Sequence, residues 1–206
     1  MDERVKFLLW SETALPPNTT QRPVIDGIRR DDAMVRQDQR VNQTPAPFEG
    51  HSDIVRKEWI DFNGHFNAGY YLVCFDDAIE SWMDFIGVGR AHRDRHFVTT
   101  FSAQNHVTYL REVREGANLS VATQLLGFDR KRIHALQVMW NTDENFVAAT
   151  CEVMSLHVSE QTRRVSEMHD DVYERLSQVW NSHKKLEVPH QVGQVMSVPG
   201  WPASVD

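Results

Sequence analysis

Residues Trp59 to Ala78 read W-I-D-F-N-G-H-F-N-A-G-Y-Y-L-V-C-F-D-D-A, and their pattern is the strongest indication of the fold. β-Branched and aromatic residues around its start predict a strand over 53–62. The apolar residues that follow recur at three- and four-residue steps, which predicts a helix over 69–87 with one broad apolar face. A helix with so wide an apolar face is expected to be buried on most sides, as it would be if a sheet wrapped around it.

A short polar loop lies between the predicted strand and the predicted helix. It holds Asp61, Asn63, His65 and Asn67 at alternate positions around Gly64. These residues come just before a helix N-terminus, where free backbone N–H groups and the positive end of the helix dipole gather. A carboxylate aimed at a carbonyl that such amides polarise is a workable site for acyl transfer. The alternative is structural, because aspartate is also a common turn and capping residue.

The loop motif resembles that of the hot-dog-fold acyl-CoA thioesterases, the 4-hydroxybenzoyl-CoA thioesterase-like group. Their motif is an Asp, two residues, a Gly and often His-x-Asn, leading into a central helix. The similarity extends to the betainyl-CoA thioesterases of carnitine breakdown, since L-G-F-D-R-K-R-I-H at 126–134 and E-V-M-S-L-H-V at 152–158 resemble that subgroup too. The resemblance covers roughly residues 51–164 and implies an α+β hot-dog fold, in which an antiparallel sheet wraps around one long helix.

The resemblance also implies at least a homodimer, or a dimer of dimers that forms a homotetramer, with active sites built at the subunit interface. The exposed edge of an open sheet favours such pairing. The expected partner is therefore a second copy of the chain, in addition to a small-molecule acyl-CoA substrate.

The resemblance implies that Asp61 is the catalytic carboxylate. It would act as nucleophile on the thioester carbonyl or as the general base that deprotonates water, and the sequence leaves both roles open. Asn63 and His65 are expected to orient water or substrate, unless their side chains only bond the loop backbone. No metal-ligand spacing occurs near His65, so neither a metal nor a redox cofactor is implied, and coenzyme A enters only as part of the substrate.

Further residues are expected to contact the substrate: Gly64, Asn67, Tyr70, His106 and Tyr109. Gly64 would permit an unusual backbone angle or a close approach of the acyl group. Asn67 has the alternative role of a helix cap, and His106, which matches a histidine of the betainyl-CoA subgroup, has that of a sheet histidine. The chain departs from related thioesterases at Gln104, where they often have Glu, and at Gln137, where a histidine is common.

Two groups of residues are candidates for the ends of the substrate. Arg130, Lys131 and Arg132 cluster at a predicted hairpin turn and would bind CoA phosphates, unless they form a solvated charged turn. Aromatic residues could form a cage for a quaternary ammonium group by cation–π attraction, or they could simply fill the core and interfaces. These residues are Trp59, Trp82, Trp140, Tyr70, Tyr71 and Tyr109.

Composition limits the class of protein. The 206 residues include 29 acidic residues against 22 Lys and Arg, and the net charge of −7 argues against a general nucleic-acid binder. The two cysteines, Cys74 and Cys151, lie among apolar neighbours and are expected to be buried thiols in a reducing compartment. We find neither a signal-peptide pattern nor an apolar run of membrane-spanning length, so a cytoplasmic protein without a membrane partner is expected.

The rest of the chain predicts strands over 96–111, 118–128, 132–141 and 146–158, with no helix between 87 and about 166. The last strand carries apolar residues on both faces, which is typical of a central strand. An amphipathic helix is predicted over 166–184 and an extended tail over 186–206. We expect an N-terminal extension over 1–50 with a helix near 31–41, a hot-dog domain over 51–164, and a C-terminal helix and tail over 165–206.

The sequence therefore predicts an acyl-CoA thioesterase, of betainyl-CoA or another small acyl-CoA. One alternative is a hot-dog hydratase or dehydratase, which would need an Asp/His pair in a helix-borne motif that we do not find. A second alternative is a non-catalytic acyl-CoA-binding protein, which would keep the basic turn at 130–132 but would not need Asp61.

Overall fold

The structure is a computed structural model of the chain, and it describes residues 44–198. The helix expected near 31–41 lies outside the described residues. The elements are β1 (Phe48–Ile54), a 3-10 turn (Lys57–Trp59), α1 (Ala68–Ile86), α2 (Arg90–His96), β2 (Val98–Tyr109), β3 (Asn118–Phe128), β4 (Arg132–Asn141), β5 (Phe146–Ser159), β6 (Arg164–Val165) and α3 (Asp170–His183). None of the described helices is long and apolar enough to span a membrane.

The strands form one antiparallel sheet in the order β1-β3-β4-β5-β2, with the short β6 paired to β5. The first half of α1 packs on the sheet through Tyr71, Cys74, Phe75 and Ala78, all of them buried. Their partners come from β3, β4 and β5 and include Leu119, Val121, Met139, Ala148 and Cys151. The predicted α+β hot-dog architecture is confirmed, since one long helix lies against the curved face of an antiparallel sheet.

The second half of α1 forms a separate apolar cluster with α3. Trp82, Met83 and Ile86 meet Val172 and Leu176 of α3, together with side chains of β3 and β4. The predicted C-terminal amphipathic helix is thus confirmed, although it begins at Asp170 rather than at residue 166. The residues just before it bond their backbone N–H groups to β5 and to the β3–β4 turn instead of to each other.

The predicted strand over 53–62 is wrong in its position. β1 ends at Ile54, and Lys57–Trp59 forms the 3-10 turn, which buries Trp59 in the core around α1. Only Ile60 returns to strand-like pairing, in an isolated bridge to Phe66. The β-propensity of these residues did not decide their conformation, because tertiary packing places the indole of Trp59 in the core from a turn. The alternation of inward and outward side chains that marks a strand does not apply in a turn.

The prediction of no helix between 87 and 166 is also wrong, because α2 lies there. Its seven residues read R-A-H-R-D-R-H and contain no apolar residue beyond one alanine, so they carry no helical periodicity. The strands are confirmed more closely, since β3 and β4 have the predicted bounds and β5 exceeds its prediction by one residue. β5 pairs with both β4 and β2, which confirms it as a central strand.

Both cysteines are buried, as predicted. Burial raises the pKa of Cys74 and of Cys151 to about 12. Both therefore remain protonated thiols near neutral pH, which argues against a nucleophilic role for either.

His183, the last residue of α3, connects three parts of the chain that are distant in sequence. It is fully buried; its Nδ1 accepts the backbone N–H of Leu125 in β3 at 2.9 Å, and its Nε2 lies 2.8 Å from the carbonyl oxygen of Pro45. Because Nδ1 accepts, the proton sits on Nε2 and is donated to Pro45. Burial lowers the pKa of His183, which keeps the imidazole neutral in the folded chain.

Candidate active site

The polar loop before α1 is a closed turn held by its own backbone. Asp61 donates its N–H to the carbonyl of His65 at 2.9 Å, and Gly64 donates its N–H to the carbonyl of Asp61 at 3.0 Å. Gly64 has φ +81°, a left-handed conformation that favours glycine. The bridge between Ile60 and Phe66 closes the loop at its base. The unusual backbone angle predicted for Gly64 is confirmed.

The carboxylate of Asp61 is held by one of its two oxygens. Its Oδ1 accepts the N–H of Asn63 at 2.8 Å and the N–H of His65 at 3.3 Å. Among the described residues, Oδ2 has no hydrogen-bond partner, and the side chain is only partly buried. The turn role of Asp61 is therefore present, and it fixes the carboxylate through one oxygen while the other oxygen stays available for a substrate or a water.

Asn67 is the N-cap of α1. Its side-chain oxygen accepts the N–H of Gly69 at 2.9 Å, and its backbone carbonyl accepts the N–H of Tyr70 at 2.9 Å. These bonds confirm the capping alternative and use two of the first-turn amides that could polarise a substrate carbonyl. The N–H of Ala68 has no partner among the described residues, so it is the first-turn donor that remains for that role.

His65 faces a carboxylate across the loop. Its Nε2 lies 3.1 Å from Oε2 of Glu112, and the other oxygen of Glu112 lies 3.7 Å from the guanidinium of Arg114. The side chains of His65 and Glu112 are both partly open to solvent. The pairing orients the His65 ring beside Asp61, and a role for this ring in positioning a water or a substrate stays a prediction.

Aromatic rings border the loop on the side of α1. Trp59 stacks on Tyr70 with ring centroids 5.5 Å apart, and Tyr71 meets Tyr109 edge-on at 5.2 Å. Trp59 and Tyr71 are buried, whereas Tyr70 is part-exposed and Tyr109 is 51% exposed. Trp82, in contrast, belongs to the apolar cluster at the other end of α1.

Tyr109 ties β2 to the start of α1, because its hydroxyl donates to the carbonyl of Ala68 at 3.0 Å. Burial raises the pKa of Tyr109 above its ordinary value, so the hydroxyl stays protonated and keeps this bond. The structure thus brings together Asp61, Asn63, Gly64, His65, Asn67, Tyr70 and Tyr109 at one end of α1.

His106 does not join this group within the chain. Tyr109 contacts α1, and His106 is three positions away on the same strand, so its side chain points to the opposite face of the sheet. There it lines a cavity of about 310 Å³ together with His134 and Glu152. His134 Nε2 lies 2.7 Å from Oε1 of Glu152, and Oε2 of Glu152 accepts the N–H of Gly193 at 2.8 Å.

The basic turn is neutralised by acidic partners. Arg130 pairs with Asp170 at 2.6 Å, and Arg132 pairs with Asp129 at 2.7 Å. Lys131 lies 3.7 Å from Glu167. Arg132 also lines a second cavity of about 250 Å³ on the outer face of the sheet.

Residues 55–176 match the Thioesterase-like superfamily, a segment that contains the loop, α1 and every strand after it. The chain belongs to this superfamily. Membership, together with a curated thioesterase relative, confirms the predicted thioester hydrolase.

Individual relatives agree with this assignment. The betainyl-CoA thioesterase of Pseudomonas aeruginosa is 37% identical over 145 residues, which cover 70% of this thioesterase and 91% of that enzyme. The L-carnitine dehydrogenase/betainyl-CoA thioesterase of Agrobacterium fabrum is 31% identical over 151 residues, which cover 73% of this chain but only 31% of that larger protein. The hypothetical protein SAV2348 from Staphylococcus aureus, solved in complex with CoA, has a TM-score of 0.70 at 24% identity, covering 77% of this chain and 100% of that one. At 24% identity, the structural similarity to SAV2348 supports the shared fold and nothing more specific.

Sequence reasoning missed two features of the thioesterase. Glu112, the partner of His65, lies in the connection after β2 and carries no motif, so only the folded chain reveals it. The pair of His134 and Glu152 was also missed, although the pairing of two adjacent strands across a short turn makes such a contact predictable.

Proposed function

We propose that this thioesterase hydrolyses betainyl-CoA or another small acyl-CoA, with Asp61 as the catalytic carboxylate. The proposal rests on the hydrogen bonds of the Asp61 carboxylate. Two backbone amides fix its Oδ1, and its Oδ2 stays available for a water or a substrate. Fixing a reactive group in advance removes much of the entropy loss that a bimolecular reaction would otherwise incur.

Two routes fit this geometry. As general base, Asp61 takes a proton from water, the water oxygen bonds to the thioester carbonyl carbon, and the C–S bond then breaks so that CoA leaves as a thiolate and is protonated. As nucleophile, Oδ2 bonds to the same carbon, CoA leaves, and water hydrolyses the resulting anhydride. In both routes the carbonyl oxygen gains negative charge, and the N–H of Ala68 at the positive end of α1 is our candidate donor to it.

Neither route needs a metal or a redox cofactor, because water and a carboxylate supply every atom and proton that moves. A cytoplasmic location stays our expectation, in keeping with two buried cysteines that remain reduced thiols.

The acyl group is proposed to lie near the exposed rings of Tyr70 and Tyr109. Rings beside a reactive carboxylate attract a quaternary ammonium group through their negative faces, which is worth about 0.5–2 kcal/mol. The two betainyl-CoA relatives point to the same chemistry. Trp59 is a weaker candidate, because its ring is buried and the guanidinium of Arg56 lies 4.3 Å from its centroid.

A charge comparison tests this substrate class. Betainyl-CoA and tert-butylacetyl-CoA have nearly the same shape, but the ammonium group of betainyl-CoA attracts aromatic rings and also withdraws electrons from the thioester carbonyl, which raises its intrinsic reactivity. The cation–π contribution is therefore the part of their kcat/KM ratio that is lost when the ring is removed. We expect Tyr109→Leu to lower the preference for betainyl-CoA about 2- to 30-fold relative to wild type, which is the stated free-energy range converted to a ratio. Tyr109→Phe, which keeps the ring, should preserve the wild-type ratio. A wild-type ratio of one, with both compounds hydrolysed, would contradict the betainyl proposal and leave the thioesterase intact.

The basic turn remains our candidate for the CoA phosphates, with a restriction. A phosphate that binds Arg130, Lys131 or Arg132 must compete with the charge of its acidic partner, Asp170, Glu167 or Asp129 respectively. Arg132 is the best placed of the three, because it also lines the cavity of about 250 Å³ beside His134.

We further propose that the thioesterase acts as a dimer that covers the catalytic loop. Apolar side chains around the loop and on the exposed side of α1 point to solvent, with Phe62 97%, Leu72 41% and Val73 44% exposed. β2 is an edge strand of the sheet, so it can pair with a second copy. Sedimentation equilibrium should give twice the mass of one chain; a monomer with full activity would contradict the proposal.

A further inference from the structure

Three histidine rings meet where α2 approaches the start of α3. His92 and His96 are four residues apart on α2, and His169 directly precedes α3. The ring centroids of His92 and His96 are 4.5 Å apart, those of His96 and His169 are 4.2 Å apart, and those of His92 and His169 are 5.5 Å apart. Each ring therefore contacts both others.

Buried nitrogen atoms without partners lie in this cluster and beside it. His92 is only 8% exposed, and its Nε2 is buried with no hydrogen-bond partner among the described residues. His157 of β5 is fully buried and interacts electrostatically with His92 and His169, and its Nε2 is likewise buried without a partner in the described part of the chain. The Nδ1 of His157 lies 3.1 Å from the carbonyl oxygen of Ser166 and 3.2 Å from its hydroxyl, and the tautomer that donates to the carbonyl leaves Nε2 with a lone pair. Buried polar atoms without partners are rare, so these two nitrogens point to a ligand.

The spacing of the rings fits a metal ion. A zinc ion binds imidazole nitrogens at about 2.0–2.1 Å, which places the centroids of three ligating rings about 5 Å apart in a tetrahedral site. The observed separations of 4.2–5.5 Å bracket that value. As described, the three rings do not place one nitrogen each within 4.8 Å of the others, so metal binding requires these side chains to rotate. Two histidines at i and i+4 on one helix face are also the spacing by which helices present paired zinc ligands.

The charges around the cluster permit a cation. The guanidinium of Arg93 on α2 is bonded to Glu160 at 2.7 Å, which offsets its charge. Asp171, in the first turn of α3, is close enough to His92 to interact with it electrostatically. Arg90 and Arg95 are exposed on α2, so solvent screens them.

We propose that His92, His96 and His169 form a binding site for a zinc-class divalent transition metal, which ties α2 to the start of α3. Imidazole nitrogens suit zinc, cobalt, nickel and copper rather than magnesium or calcium. The fourth position belongs to a water or to Nε2 of His157. The role of the site is structural, because α2 follows the C-terminal end of α1 while Asp61 precedes its N-terminal end, and 19 helical residues span about 28 Å.

Cobalt binding to untagged, chelator-treated full-length protein tests the proposal, because bound Co²⁺ absorbs visible light with an intensity that reports tetrahedral geometry. We expect one tetrahedral Co²⁺ per chain, displaced by Zn²⁺, and a rise in Tm on adding Zn²⁺. His96→Gln and His169→Gln, at positions less buried than His92, should each weaken binding at least about tenfold and remove the rise in Tm. His190→Gln, on the exposed tail, should bind as wild type does.

Several outcomes would overturn the proposal. Absence of Co²⁺ and Zn²⁺ binding by the folded protein would do so, as would unchanged binding in His96→Gln and His169→Gln. A rise in Tm with inorganic phosphate instead of metal would show that the cluster binds anions. His51, Asp53 and Asp77, unlike the three histidines, already place ligand atoms within 4.8 Å of one another. Binding that is lost in His51→Gln but kept in His96→Gln would therefore assign the metal to that group.

Discussion

Asp61→Asn is expected to lower kcat for acyl-CoA hydrolysis by about 10²–10⁴-fold, the range that a positioned proton acceptor contributes. The amide oxygen of asparagine can still accept the N–H groups of Asn63 and His65, so the loop keeps its shape. The amide can neither take a proton from water nor attack a carbonyl carbon, so both proposed routes are lost. Steady-state CoA release and thermal unfolding, measured on the same preparation, separate this chemical effect from misfolding.

Asp143→Asn is the matched control for this substitution. Asp143 is also an aspartate in a tight turn, and its Oδ2 accepts the backbone N–H of Asn118 at 2.8 Å, but it lies in the β4–β5 turn. We expect Asp143→Asn to retain wild-type kcat. A kcat for Asp61→Asn within a few fold of wild type, with the protein folded, would remove Asp61 from the mechanism.

His183→Ala is expected to lower the free energy of unfolding by about 3–5 kcal/mol at pH above 7. The substitution leaves the N–H of Leu125 and the carbonyl of Pro45 without their partner, and each buried unsatisfied group costs about 1–3 kcal/mol. It also opens a cavity beside Trp82, whose ring centroid lies 6.0 Å from that of His183. Denaturant unfolding measures the loss, and His190→Ala, on the exposed tail, should change the free energy by less than about 0.5 kcal/mol.

The effect of His183→Ala should depend on pH in a defined direction. Burial lowers the pKa of His183 in the folded chain, whereas the unfolded chain keeps the ordinary value of 6.5. Below pH 6.5 His183 therefore binds a proton in the unfolded chain but not in the folded chain. This difference lowers the free energy of unfolding of wild type by up to about 1.4 kcal/mol per pH unit. The variant lacks the group, so the difference between wild type and variant should shrink on acidification to about pH 5.5. A difference that stays constant or grows would show that the folded chain protonates His183 readily.

The parts of the fold that the sequence predicts well are those with strong periodicity. The apolar repeat of α1 predicts the helix to within one residue at each end, and the apolar runs of β3 and β4 match their predicted bounds. Burial acts in these elements on the same residues that carry the pattern. α2 has no apolar face, so periodicity could not reveal it, and Trp59 reaches the core from a 3-10 turn.

The candidate site was predictable where it is local. The capping role of Asn67 and the turn around Gly64 follow from residues within one loop. The sequence could also have predicted on which face of the sheet His106 lies. His106 and Tyr109 are three positions apart on one strand, and an odd separation places two side chains on opposite faces.

Contacts between distant residues were not predictable. The carboxylate that pairs with Arg130 is Asp170, 40 residues further along the chain, and nothing near the basic turn indicates it.

The histidine cluster could not be predicted from the sequence either. The i, i+4 pair of His92 and His96 is visible in the sequence, but the third ring, His169, arrives only when α3 packs beside α2.

Betainyl-CoA mixed with the wild-type chain distinguishes hydrolysis from binding alone when thiol release, mass spectrometry of the products and calorimetric binding are measured together. We expect saturable release of one free CoA thiol and one betaine per thioester consumed. A thioester that binds and is recovered intact would contradict hydrolysis and indicate a protein that only binds acyl-CoA.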